Sequence, residues 1–135
     1  MEASGDFEVS TEKWPVVVVR YPKSVPEGGY KVLFEKYREL AAHGEKIAWL
    51  IDFLEFDPVW APAKVRKEVA DLFAEHREIL LECTLAEARV VVNPLSRGVL
   101  TAFDWLTGHK WPTRNFATFE QAEAWIAEQR YQAAS

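Results

Sequence analysis

The sequence predicts an α/β fold: a largely parallel sheet of four main strands with flanking helices. Three observations lead to it. Short, continuously apolar runs rich in β-branched residues alternate with longer stretches of helical period. Continuous apolar character marks strands covered on both faces, as in parallel sheets. Helix-start and helix-stop residues stand at the boundaries between the two kinds of segment. A strand followed by a helix, four times over, implies parallel pairing through right-handed crossovers.

Residues 1–12 are polar, with Phe7 and Val9 alternating, so they form either a flexible N-terminus or a short extra N-terminal edge strand. Residues 13–135 form a single domain. Trp14 to Tyr21 (WPVVVVRY) is the first main strand, closed by Pro22 and the KSVPEGG turn. From Tyr30 the period changes. Tyr30, Leu33, Phe34, Tyr37, Leu40 and Ala41 share one helical face, and Gly44 ends the helix. Lys46 to Phe53 (KIAWLIDF) is the second strand. A loop bearing carboxylates and aromatics leads into the longest helix, Ala63 to Cys83. Its expected buried stripe runs through Val65, Val69, Leu72, Phe73, His76, Ile79, Leu80 and Cys83. Ala88 to Val92 is the third strand. Asn93-Pro94 supplies an N-cap and a first-turn proline. Leu95, Val99, Ala102, Phe103 and Leu106 are the expected inner face of that helix, with Gly108 at its end. Arg114 to Ala117 is the fourth strand. Thr118-Phe-Glu-Gln121 has capping-box spacing and opens a last helix carrying Phe119, Ala122, Trp125 and Ile126.

Composition bounds the function. A chain of 135 residues with 49% hydrophobic and 27% charged residues suits one globular domain rather than a disordered segment. The formal net charge of −5 argues against a nucleic-acid partner and against docking on anionic lipid. No apolar run approaches the roughly 20 residues a membrane span needs. The N-terminus lacks a basic-then-apolar leader. Cys83 is the single cysteine, which excludes an internal disulfide and fits a reducing, cytoplasmic location.

Three segments carry a resemblance. They are IAWLIDF (47–53) with its following loop and long helix, ARVVVNPLSRGVLTAFDWLTG (88–108), and RNFATFEQAEAWI (114–126). Together they resemble the SpoIIAA-like branch of the STAS superfamily, the STAS/Sec14-like proteins of bacteria. The resemblance implies a four-turn β-α superhelix and a non-enzymatic regulatory module that acts by protein-protein contact. It also implies a phospho-acceptor serine or threonine at the loop-to-helix junction after the central strand. Here the chain departs, because residues 52–66 (DFLEFDPVWAPAKVR) contain neither. Relatives in the same superfamily bind lipid or small apolar ligands, which makes an aromatic-lined cavity the alternative reading.

Candidate chemistry is sparse, and no catalytic, cofactor-binding or metal-ligating residue is assigned. Asp52, Glu55 and Asp57 sit at the carboxyl end of the second strand, where open α/β sheets bind ligands, but their spacing matches no metal loop. His76 lies inside an apolar stripe and has no catalytic partner at fixed spacing, so a core histidine is the plainer reading. Cys83 ends the same stripe and reads as a structural thiol. Ser96, at a helix start, reads as a local capping residue and as the place to which a phosphorylation switch could have moved. An enzyme combining His76 with the loop carboxylates ranks lowest. The aromatic surplus is more telling. Leu100 and Trp105 fall off the inner stripe of the third helix, Trp60 sits in a proline-flanked loop and Trp111 in a later connection, and the four are the candidate contacts for a protein partner, a homodimer or a small apolar ligand.

Overall fold

Five strands form one sheet in strict chain order, β1-β2-β3-β4-β5. The computed structural model describes residues 6–58, 62–108 and 111–135. The strands are β1 (Glu8–Lys13), β2 (Val16–Arg20), β3 (Ile47–Asp52), β4 (Thr84–Val90) and β5 (Thr113–Phe116). The helices are α1 (Gly29–Ala41), α2 (Ala63–Cys83), α3 (Pro94–Thr107) and α4 (Phe119–Ala134). β1 pairs antiparallel with β2 as an N-terminal edge strand, and every later pairing is parallel.

Sequential order dictates where the helices go. Each crossover from β2 onward steps one strand in the same direction. Right-handed connections then deposit α1, α2 and α3 on the same face. Only α4, which follows the last strand, can return across the other side. The packing agrees. Val17, Val19, Ile47 and Trp49 meet Leu33, Phe34 and Leu40 of α1 and Phe73 and Leu80 of α2. The opposite side chains, Ala48, Leu50, Ala86, Ala88 and Val90, meet Ala122 and Ile126 of α4. The period-two alternation of a strand divides the two sets.

Local chemistry holds the helix ends. Asn93 Oδ1 accepts from the backbone N–H groups of Leu95 (2.8 Å) and Ser96 (3.4 Å), with Pro94 in the first turn. Gly108 closes α3 at φ 61°, a left-handed conformation that glycine adopts at little cost. Thr118 Oγ1 accepts from Gln121 N at 3.2 Å and opens α4. No described helix is long and apolar enough to cross a membrane.

Two expectations need correction. The third strand runs from Thr84 to Val90, not from Ala88 to Val92. α2 passes directly into β4 with no intervening loop, and Thr84 Oγ1 accepts from the indole Nε1–H of Trp49 on the neighbouring strand at 2.9 Å. Helix α3 is also turned from its expected orientation. Leu95 is 62% exposed and Ala102 is exposed, whereas Ser96 is buried and Leu100 lies half-buried on the inside. The inward face is centred on Ser96, Leu100, Phe103 and Thr107, an i, i+4, i+7, i+11 series. Val99 and Phe103 of the expected face still line the cavity, and Asp104 faces the sheet, where Arg89 engages both its oxygens.

Candidate functional site

Strand alternation on β4 sends Ala86, Ala88 and Val90 toward α4 and Glu87 and Arg89 toward the other three helices. Register places Glu87 beside Trp49 and Arg89 beside Ile51 on β3. Two charges in the interior of a sheet are costly unless each is paired and hydrogen-bonded. Here both are. Arg89 is 2% exposed; its Nε donates to Glu87 Oε2 at 2.6 Å. Its Nη1 and Nη2 donate to Asp104 Oδ2 and Oδ1, both at 2.8 Å, a bidentate fork from β4 to α3. The remaining Glu87 oxygen, Oε1, accepts from the indole Nε1–H of Trp111 at 3.1 Å. Burial works against the guanidinium charge, but Glu87 and Asp104 outweigh it and hold its pKa above the ordinary arginine value.

Beside this network lies a cavity of about 160 Å³. Its floor is the sheet, at Trp49, Ile51, Glu87 and Arg89. Tyr30, Leu33, Phe34 and Tyr37 of α1 form one wall; Val65, Val69, Phe73 and Leu80 of α2 form the roof. Ser96, Val99, Leu100 and Phe103 of α3 close the side toward Trp111. Rings meet edge-on or tilted around it: Phe73 with Phe103 at 5.7 Å, Phe73 with Trp111 at 5.9 Å and Tyr37 with Trp49 at 4.8 Å between centroids. Burial pushes the Tyr30 phenol up to about 12 and raises Tyr21 and Tyr37 well above the ordinary tyrosine value. The lining is mostly aromatic and aliphatic, with Arg66 of α2 joining Glu87 and Arg89 as its charged residues. A volume near 150 Å³ lined by apolar side chains accommodates one benzene ring, whereas drug-sized ligands occupy about 300 Å³ or more. The cavity suits a single ring.

No family model, curated protein or solved structure matches this chain.

The candidate contact residues that are described, Leu100, Trp105 and Trp111, do not share one surface. Leu100 and Trp111 line the cavity. Trp105 is 85% exposed and stands on the outside of α3. Trp60 lies outside the described residues. Trp105 is off the inner stripe as expected, whereas Leu100 is not. Trp111, half-buried, is held to the cavity by its bond to Glu87.

Asp52 Oδ1 accepts from Leu54 N at 2.8 Å, and its Oδ2 lies 3.5 Å from Arg20 Nε. Glu55 is exposed. Among the described residues no group of three or more histidines, cysteines, aspartates or glutamates is placed to hold a metal ion. His76 is buried, its Nδ1 2.8 Å from the Leu72 carbonyl oxygen, so that nitrogen carries the proton and donates. Its ring packs 5.3 Å from that of Phe34. Burial pushes the Cys83 thiol up, away from thiolate chemistry. Ser96 is too buried for a kinase to reach in this conformation.

Sequence reasoning passed over Glu87, Arg89 and Asp104 and misjudged Ser96. A signal for the first two was present: in LAEARV the charges fall two apart, so both point to one face of a strand. Ser96 Oγ is buried, lines the cavity and has no hydrogen-bond partner among the described residues.

Proposed function

We propose that this chain is a non-enzymatic binding module that holds a small, ring-bearing apolar ligand in the cavity beneath α1, α2 and α3. The observation that carries the reading is the cavity itself, about 160 Å³ lined by aromatic and aliphatic side chains. A ligand that fills this space buries its own apolar surface against those side chains, at about 25 cal/mol per Å² removed from water. The test is thermal unfolding of the whole chain with increasing toluene. Toluene should raise the Tm in a concentration-dependent way, and Val69→Phe, which fills the cavity, should abolish the rise while remaining folded. An unchanged Tm up to saturating toluene would refute the reading.

The kinship implied by the sequence belongs to the same proposal. A strictly sequential sheet with three successive helices on one face supports the four-turn β-α superhelix of the STAS-like proteins. A protein-contact function is a second reading, favoured by one observation. Val92, Leu95 and Trp105 are exposed large apolar residues along α3 and its lead-in. If α3 mediates self-association, Trp105→Ala should shift a dimer to monomer in sedimentation equilibrium. A wild-type chain that stays monomeric at high concentration removes the homodimer.

A further inference from the structure

Polar groups around the cavity answer one another. The indole Nε1–H of Trp49 donates to Thr84 Oγ1 at 2.9 Å, and that of Trp111 to Glu87 Oε1 at 3.1 Å. Arg89 is engaged by Glu87 and Asp104, and the phenols of Tyr21 and Tyr30 are hydrogen-bonded to each other. Arg66 is exposed, so its charge stays in contact with water. Ser96 is different. It is 2% exposed and lines the cavity. Among the described residues of the lining, only Ser96 keeps a buried side-chain polar atom, Oγ, with no hydrogen-bond partner. Buried polar groups are as a rule hydrogen-bonded, so the exception asks for a cause.

Helix capping does not supply one. Asn93 Oδ1 caps α3 and accepts from the Ser96 backbone N–H, so the Ser96 hydroxyl has no capping role. It stands instead at one end of an apolar lining. Val99, Leu100 and Phe103 continue that lining along α3, and Phe103 meets Phe73, which meets Trp111. From Ser96 to Phe103 is seven residues, about 10 Å of helix. That span matches one ring with a short substituent: the ring against Leu100 and Phe103, the substituent at Ser96.

We infer that Ser96 Oγ is the polar anchor of the cavity, and that the ligand is a single-ring compound with one short hydrogen-bonding substituent directed at it. The inference rests on the proposed ligand-binding reading and adds the substituent and the residue that selects for it. A hydroxyl both donates and accepts, so the substituent is an alcohol, a phenol, a carbonyl or an N–H group. Ser96 is a specificity-determining residue: a ligand of the same shape without the substituent leaves Oγ unpaired in the interior.

Ethylbenzene and benzyl alcohol test it, because they differ by a methyl group in place of a hydroxyl at nearly the same size. Each is titrated into the full chain and into its Ser96→Ala variant, and dissociation constants are read from amide NMR shifts. Comparing the variant's effect on the two probes cancels their different hydration. Ser96→Ala should weaken benzyl alcohol roughly fivefold, the loss of one neutral hydrogen bond, and leave ethylbenzene unchanged or slightly tighter. Without ligand, Ser96→Ala should match or exceed the wild-type Tm, because the hydroxyl it removes has no partner among the described residues; the same melt shows the variant folded. A lowered Tm would mean that the hydroxyl serves the fold, and the anchor would be overturned. Equal effects on both probes, loss of both included, would overturn the anchor while wild-type binding keeps the cavity reading intact. If the wild-type chain binds neither probe, the cavity reading falls and this inference with it.

Discussion

On one side of the sheet, Ala48, Ala86 and Ala88 present almost no side chain, and α4 answers with Ala122 and Ile126. On the other side the same strands present Trp49, Glu87 and Arg89, and three helices meet them with phenylalanine, tyrosine and tryptophan rings. Small residues let a helix approach closely and fill the interface. Large planar residues and a bulky ion pair hold helices off and do not tile the space between them. The cavity appears where the large set is, and an ionic fork ties α3 to the sheet there. One sheet thus carries a packed, structural face and an open face suited to binding. The difference is written in alternate residues of the same strands.

The sharpest way to break the comparison is to cut the fork. Arg89→Met should lower stability by about 3–5 kcal/mol, because Glu87, only 7% exposed, is left as an unpaired buried charge. The urea midpoint should fall accordingly. Adding Glu87→Gln to Arg89→Met should recover much of the loss. A midpoint equal to wild type for Arg89→Met alone would mean that the network does not anchor the open face.

Alkali should attack the same face. The folded Tyr30 pKa, about 12, is raised from 10.0 by burial, so the folded state holds this proton more tightly than the unfolded chain. Its contribution is full below pH 10 and is lost as pH rises from 10 through about 12. At about 1.4 kcal/mol per pH unit the loss is roughly 2–3 kcal/mol from Tyr30. Tyr21 and Tyr37, raised in the same direction, add to it. Tyrosinate absorbance from these residues should rise together with unfolding by circular dichroism. Complete ionisation of every tyrosine in a chain that keeps its secondary structure would contradict the burial of this wall.

A milder pair of substitutions sharpens the contrast by asking each face to accept extra atoms. Ala88→Leu, against α4, should destabilise by about 1–3 kcal/mol through overpacking. Val69→Leu, toward the cavity, should be neutral or stabilise by up to about 2 kcal/mol. Chemical denaturation of the two variants side by side reads the difference. Equal destabilisation would mean the two faces are packed alike.

Much of this architecture was legible in the sequence because its causes are local. The valine run of β2, the apolar run of β3, the bounds of α2 and the caps at Asn93 and Thr118 all follow from residue chemistry within a few positions. The site was less legible because its causes are long-range. Asp104 faces inward toward Arg89, fifteen residues earlier in the chain; no helical periodicity of apolar residues reports that. The start of β4 was hidden because Cys83 leads into Thr84 without a turn residue to mark the change. Trp105 and Trp111 look equally unplaced in the sequence. They separate because one faces out from a rotated helix and the other finds Glu87. A cavity is a property of four walls at once, and no single segment encodes it.

The central claim is that the face bearing α1, α2 and α3 holds an aromatic-lined binding volume for one ring, whereas the space of about 270 Å³ on the α4 side, beside Phe119, is lined mostly by the polar residues Glu8, Ser10, Glu12, Lys13 and Arg20. Diffraction from crystals soaked in iodobenzene tests it directly, because the anomalous iodine signal locates the ring without ambiguity. The account predicts iodine between Trp49, Phe73 and Trp111 and none between α4 and the sheet. Iodine found only on the surface, at exposed Trp105, or lodged between α4 and the sheet, would contradict it.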